Sequence, residues 1–484
     1  MNCNSVKSCL LLIFFLVQCV FVFALRPVII EGQASFAKSN QLRFYFYNDL
    51  FLQEKTLCAA ANVDKEGNFR AEIQTNETVL LVIAFQTTYG YIFIEPEKHY
   101  KIELKADENL LKRIDAEMLG SVIETRMLTV DTAELNYKIN RFDRYYNYFL
   151  YLHTSDIYQK VPLQTYDSLV GLLVERFPVN SNATDYYSVY VKYKIAHIDL
   201  LYYDKNREKL YNKYLDNEYI FYNNIAYIDF LKNFFEGYLY SGTRKIPRKI
   251  LHENINEKRD YYSLLDAMGK DPFLVNEKIR EIVFIKGLGE LYELGAEFNQ
   301  GNILYLLSLV KENSKFEEHK KMANNLLQFF TKLKPETKAP DFELRDVYNS
   351  PVRISDFKGR CLYLHFFSTY CEECIVEMLA LKSLREKYKD SLQIVSIMLD
   401  FEQANLYHFV TTYKEFDWQF LHFANNFSFI DAYSVFALPL GILIDANGKI
   451  VNSPAKSPKH GLVMQIFSLF PTFETPVPQG KNKY

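Results

Sequence analysis

The chain has 484 residues, 49% of them hydrophobic and 24% charged, with a formal net charge of -3. That length allows about three globular domains, and the composition is that of ordinary soluble cores. The near-neutral charge gives no electrostatic reason to expect a nucleic-acid partner. Aromatic content is high, at 16% with 37 Tyr and 39 Phe, which points to ring packing between helices more than to a sugar-binding surface.

Residues 1–24 read as a signal peptide. Lys7 supplies the positive start, Leu10 to Phe23 is apolar apart from Gln18 and Cys19, and Val22-Phe23-Ala24 suits cleavage. The run is short for a membrane span, and a retained anchor is the alternative. Bulky Gln18, and an apolar run that continues past Cys19, argue against lipidation there. Removal of this segment leaves Cys58, Cys361, Cys371 and Cys374. In an exported protein these are too few for a structural disulfide framework, so the close pair is the functional one.

Residues 25–130 form a predicted small antiparallel β-sandwich. Leu42–Tyr47, Val79–Phe85, Tyr91–Ile94 and Tyr100–Leu104 are β-rich runs, separated by the turns Asp64–Gly67, Thr87–Gly90 and Glu95–Glu97. Cys58 is expected to be a buried small residue. Residues 131–335 form a predicted all-α domain. Asp131-Thr-Ala-Glu134 suits a capping box, and Leu135, Ile139, Phe142, Tyr146 and Phe149 recur at helical spacing. Further helices are expected near 163–176, 184–204, 219–238, 273–297, 301–313 and 315–333. Its Tyr pairs (Tyr186-Tyr187, Tyr202-Tyr203, Tyr261-Tyr262) either line a groove or pack helices, and Arg244–Lys249 reads as a solvated loop.

Lys332 to Lys338 reads as a linker. Residues 336–475 then alternate strands (Cys361–Phe367, Leu392–Met398, Leu440–Asp445) with helices (Ile375–Lys387, Glu402–Tyr413 and 459–469), the pattern of an α/β sheet. Residues 476–484 are an expected disordered tail. Between the first strand and the first helix stands Cys371-Glu372-Glu373-Cys374. A CxxC at a strand-to-helix turn suits thiol–disulfide chemistry: backbone N–H groups and the dipole at a helix start favour a thiolate, and the second cysteine can close a disulfide and expel a bound thiol. Half a zinc site looks the same, but no second CxxC and no HxxxH occurs in the chain.

The last domain resembles the TlpA-like thiol–disulfide oxidoreductases, thioredoxin-fold proteins of the bacterial envelope. The resemblance rests on Ala339-Pro-Asp-Phe342, Ser355-Asp-Phe-Lys-Gly359, Phe366-Phe-Ser-Thr-Tyr-Cys371-Glu-Glu-Cys374, and Pro439 followed by Ile444-Asp445-Ala-Asn-Gly-Lys-Ile450. It implies Cys371 as nucleophile, Cys374 as resolving thiol, and Pro439 as a cis-proline beside the CxxC, with Leu438 offering backbone to a substrate chain. It also implies that Glu377 handles protons near the site; a plain surface helix glutamate is the alternative. Tyr370 stands in place of the usual Trp, Glu373 in place of Pro, and His365 where relatives carry a buried Asp or Asn. His365 is read either as a hydrogen-bonded core residue or as a proton relay, and Cys361 as an inert buried thiol.

The expected whole is multidomain: β-sandwich, all-α domain, thioredoxin-like α/β domain. Its expected function is that of an exported protein-disulfide reductase in the periplasm or envelope of a Gram-negative bacterium. It would need no cofactor beyond the Cys371–Cys374 disulfide and no metal. Its expected partners are a disulfide-bearing protein and an upstream electron donor, with no nucleic acid, and with membrane association only through a retained signal anchor. An envelope scaffold with a relic redox domain is the non-enzymatic alternative. A thiol peroxidase is disfavoured, because Leu364 stands where that mechanism wants proline, although Ser368 fits.

Overall fold

A computed structural model of the chain describes residues 26–469, apart from 86–87, 108–122, 130, 181, 204–205, 217–218, 243–245, 389–391, 436 and 460. The signal segment, the tail and Phe436 lie outside the described residues. The chain divides into two compact units. The first takes in residues up to Ala106, Val122–Ile246 and Asp266–Val283; the second takes in Pro247–Leu265 and the chain from Phe284 on.

The first unit begins with eight strands: β1 (Arg26–Gln33), β2 (Gln41–Asp49), β3 (Glu54–Asn62), β4 (Asn68–Thr75), β5 (Val79–Phe85), β6 (Thr88–Ile94), β7 (His99–Lys105) and β8 (Glu124–Met127). They make two four-stranded sheets, ordered β4-β1-β7-β8 and β3-β2-β5-β6. In β4 every second residue is buried, the pattern of a sheet with one face in the core. The expected all-antiparallel pairing is corrected at one place: β1 and β7 run parallel. The chain between them is long enough to cross back, which a parallel pair requires.

Helices follow: α1 (Leu135–Tyr158), α2 (Leu163–Arg176), α3 (Tyr186–Tyr202), α4 (Arg207–Tyr214) and α5 (Ile225–Phe234). The cap of α1 differs from expectation. Glu134 is the N-cap and accepts the Tyr137 N–H, while Asp131 accepts from Ala133 one turn earlier. Asn136 then ties α1 to β6, accepting the Phe93 N–H and donating to its carbonyl, both at 2.8 Å. The tyrosines pack helices. Tyr202 stacks on Tyr166 at 3.7 Å, Tyr186 meets Phe93, and the hydroxyls of Tyr166 and Tyr214 both donate to buried Asp199, at 2.5 and 2.7 Å. A buried carboxylate between two phenols satisfies all three groups at once.

Helices α6 (Arg248–His252), α7 (Tyr261–Gly269), α8 (Glu277–Glu293), α9 (Gln300–Asn313) and α10 (Glu317–Thr331) complete the helical stretch. Part of the expected basic loop is thus helix: Arg248 opens α6 and pairs with Glu297 at 2.6 Å.

The last part of the second unit is a seven-stranded sheet, ordered β10-β9-β13-β12-β11-β14-β15. Its strands are β9 (Glu343–Asp346), β10 (Pro351–Arg353), β11 (Cys361–Phe367), β12 (Leu392–Met398), β13 (Gln419–His422), β14 (Leu440–Ile444) and β15 (Ile450–Asn452). Helices α11 (Glu372–Tyr388), α12 (Gln403–Thr412), α13 (Phe427–Ala432) and α14 (Leu462–Leu469) alternate with them. Strands β11, β12 and β13 are parallel, and β14 returns antiparallel against β11. All seven residues of β11 are buried, as a central strand covered on both faces requires. Leu362, Leu364 and Phe366 join one core, with Ile442 and Phe429. Cys361, Tyr363 and Phe367 turn to the other face, where Leu381, Leu384 and Met378 of α11 lie. The stretch expected as a free linker is pinned to β15: Glu336 donates to the Ile450 carbonyl and Ile450 to that of Thr337, each at 2.8 Å. Its unpaired backbone groups find partners at a sheet edge.

Candidate redox site

The site lies where β11 ends. Ser368, Thr369 and Tyr370 make the turn, Cys371 stands at its close, and α11 begins at Glu372. The Cys371 N–H donates to the Ser368 carbonyl at 3.1 Å. Cys371 and Cys374 form a disulfide, with Cα atoms 5.3 Å apart. The Cys374 N–H, in the first helical turn, is shared between the Cys371 carbonyl and Cys371 Sγ, each at 3.1 Å. That donor and the helix dipole both favour negative charge on Cys371. Access differs between the two sulfurs: Cys371 is half-buried, whereas Cys374 is fully buried against Phe367, Met378 and Met398. Tyr370, 80% exposed, flanks the reachable sulfur. Glu372 and Glu373 occupy the first turn of α11 and are exposed.

Leu438 packs against the same apolar cluster as Cys371, and the Leu438–Pro439 peptide is cis. Leu440 pairs with Phe366, so Pro439 sits at the end of β11 that carries the CxxC. Gly441, opposite His365, leaves room for the Tyr363 ring: a Cβ there would lie 2.0 Å from its hydroxyl.

His365 and Glu377 are brought together beneath α11. His365 is completely buried and faces Glu377 with Nε2 3.7 Å from Oε2; the Glu377 side chain is 13% exposed. Nδ1 of His365 lies 3.3 Å from Ser396 Oγ, which also accepts the Trp418 Nε1–H at 2.9 Å. Nε2 has no hydrogen-bond partner among the described residues. Burial pushes the imidazole down to about 3, so it is neutral at ordinary pH. The other two thiols are inert: burial drives Cys58 and Cys361 up to about 12, and each donates to a backbone carbonyl.

Four residues here escaped the sequence reading: Ser396, Asp400, Trp418 and His422. Asp400 accepts Ser368 Oγ–H at 2.7 Å and Thr369 N–H at 3.1 Å. The available signal was its place, just past β12, at the strand ends where α/β sheets put their sites. Among the described residues no cluster of His, Cys, Asp or Glu suits a metal ion, and no helix is long and apolar enough to cross a membrane.

Sheet, turn and disulfide together define a thioredoxin-class redox module. Residues 335–453 match the AhpC/TSA family. Thiol-disulfide oxidoreductase ResA of Bacillus thuringiensis subsp. konkukian is 31% identical over 115 residues, which are 23% of this chain and 65% of that protein. ResA of Bacillus subtilis is 26% identical over 142 residues, covering 28% of this chain and 76% of the relative. A solved thiol-disulfide oxidoreductase from Bacteroides fragilis is 22% identical, with a TM-score of 0.26, and covers 28% of this chain and 100% of that one. The C-terminal domain is thus similar to the thiol–disulfide oxidoreductases. The chain spans about two thirds of the length of the first of these relatives, and the match leaves the residues before 335 unaccounted for.

Proposed function

We propose that this protein is an exported thiol–disulfide oxidoreductase that reduces disulfides in a client protein. The observation that carries this reading is the unequal pair at the start of α11: a reachable Cys371 sulfur facing a helix N–H, bonded to a fully buried Cys374. In the reduced enzyme, the Cys371 thiolate attacks one sulfur of the client disulfide, and the other leaves as thiolate. Cys374 then gives up its proton and attacks Cys371 Sγ. The second client thiolate departs, and the Cys371–Cys374 disulfide remains. Two electrons have passed to the client, and a donor dithiol protein restores the pair. Leu438 and Pro439 offer backbone to the client chain, and Glu377 with His365 handles the Cys374 proton. The thiol–disulfide oxidoreductase names of the relatives support the chemistry. The signal-like residues 1–24 support export, and the periplasm or envelope of a Gram-negative cell is the compartment we propose.

In the same reading the two N-terminal sheets pack as a sandwich, consistent with Phe44 of β2 meeting Phe69 of β4 at 6.3 Å. They and the helices position the client or the redox domain. Insulin reduction by purified protein with dithiothreitol tests the activity: acceleration that disappears in Cys371→Ser is expected, and no acceleration by the folded wild type would refute it.

A further inference from the structure

We propose that Asp400 is a positioning residue for the redox turn, holding Ser368 and Thr369 so that Cys371 meets the start of α11 in register. The proposal rests on the reading of Cys371 as the attacking thiol. Asp400 is 4% exposed and follows β12 by two residues. All four of its carboxylate acceptor positions are used. Oδ1 takes Ser368 Oγ–H and Thr369 N–H, at 2.7 and 3.1 Å; Oδ2 takes the Thr369 hydroxyl and, at 3.1 Å, Asn405 Nδ2–H. Because the Ser368 hydroxyl gives its proton to Asp400, its oxygen is left to accept the Tyr370 N–H, at 3.2 Å. The Ser368 carbonyl accepts the Cys371 N–H. Every backbone N–H from Thr369 to Cys371 is thus held by Asp400 or by the serine that Asp400 orients.

Asp400 is itself fixed from behind. Its carbonyl accepts His422 Nε2–H at 2.7 Å, while His422 Nδ1 accepts the Ala424 N–H at 3.0 Å. These two bonds define one neutral tautomer. The network therefore crosses the carboxyl ends of β11, β12 and β13, three neighbouring parallel strands. It ties the turn to the sheet and not merely to the helix that follows. Rigid support of this kind matters because a reacting atom displaced by about 1 Å can lose about a hundredfold in rate.

Asp400→Asn is nearly the same shape but turns an amide N–H toward either the Thr369 N–H or the Asn405 Nδ2–H, so an N–H donor of the network loses its acceptor while the hydroxyls must rotate to accept. The measurement is alkylation of Cys371 by iodoacetamide in the reduced full-length protein across pH, with the modified cysteine located by peptide mass. Loss of positioning weakens the N–H contact to the sulfur. The alkylation midpoint of Asp400→Asn should then rise by about one pH unit, with alkylation at pH 7 slowed about tenfold. If Asp400 acted only as a nearby charge, its removal would favour the thiolate and the midpoint would fall; a fall or no change overturns the proposal. Trp418 emission reports whether the domain is folded. Should Asp400→Asn not fold, Thr369→Val decides: it keeps the charge and removes one donor, and an unchanged midpoint there overturns the proposal. Alkylation needs no turnover, so a wild type inactive on insulin would sink the proposed function while leaving this test readable.

Discussion

Replacing His365 by glutamine should remove a pH dependence that the wild type carries in its C-terminal domain. His365 is fully buried, and burial lowers its folded value to about 3, against 6.5 for the free imidazole. Unfolding releases that constraint, so the unfolded chain binds a proton that the folded one refuses. The stability that this group contributes is present above pH 6.5 and is lost as pH falls from there toward 3. Between pH 7 and 5 both values lie above the folded pKa, so only the unfolded titration counts. Each full pH unit of differential uptake is worth about 1.4 kcal/mol, which gives a loss of about 2 kcal/mol across that interval. Glu377, 3.7 Å away, pulls the other way, because its charge favours an imidazolium. Trp418, the single tryptophan, bonds to the Ser396 that neighbours His365, so its emission reports this domain. Urea unfolding of the full chain followed at Trp418 should show the wild type losing about 2 kcal/mol more than His365→Gln between pH 7 and 5. Groups that do not touch His365 contribute alike in both proteins and cancel. Parallel curves would refute the argument. A wild type that gains stability relative to the variant at pH 5 would mean that Glu377 holds a charged His365.

Cys374→Ser should trap mixed disulfides with client proteins and Cys371→Ser should not, because only the Cys371 sulfur is reachable; gel electrophoresis without reductant reads the adducts, and the opposite pattern would reverse the assignment. Oxidation of Cys58 and Cys361 should be negligible beside that of Cys371, as both thiols are held near 12; peptide mass analysis after mild peroxide treatment checks this. In the first unit, Asp199→Ala leaves the Tyr166 and Tyr214 hydroxyls without their acceptor. At about 1–3 kcal/mol for a buried group left unpaired, a stability loss of about 2 kcal/mol or more should appear in the helical circular-dichroism transition.

What could be read from the sequence followed the strength of the local pattern. Strands β11, β12 and β14 are predominantly apolar runs and α11 and α12 are long enough to show a period, so their places were legible to within a few residues. Strand β13 has four residues and helix α13 six, too few for any period to emerge. Strand β3 carries Cys58-Ala-Ala-Ala61, which lacks the branched and aromatic residues that mark strands; its neighbours in the sheet impose the conformation. The CxxC and the Pro439 position were legible because they are contiguous motifs. Asp400 was not, since its bonds to Ser368 and Thr369 join residues 31 and 32 apart, and only the parallel pairing of β11 with β12 brings them together. The contact between His365 and Glu377 has the same origin: a strand residue and a helix residue meet because α11 folds back over β11.

The direction of electron flow is a matter of charge. A strong oxidant of this fold owes its power to a well-stabilised thiolate, which makes the reduced form favourable. Here the first turn of α11 carries Glu372 and Glu373, both exposed, in the positive potential that would otherwise serve Cys371. At roughly 6 Å and with water-like screening, each carboxylate opposes the thiolate by about 0.7 kcal/mol. Two such terms, about 1.4 kcal/mol, offset a helix-dipole benefit of about 0.3–1 kcal/mol. The reduced form therefore gains little, and the disulfide is correspondingly hard to reduce. For a two-electron couple about 1.4 kcal/mol is about 30 mV, so replacing both glutamates by glutamine should make the protein more oxidising by about that amount. The wild type should lie nearer the thioredoxin value of about −270 mV than the strong-oxidant value of about −120 mV. Redox titration against glutathione and dithiothreitol decides it. A wild-type potential above about −180 mV, or a double variant that does not move or moves the other way, would show that this charge balance does not set the direction, and the reductant assignment would fall with it.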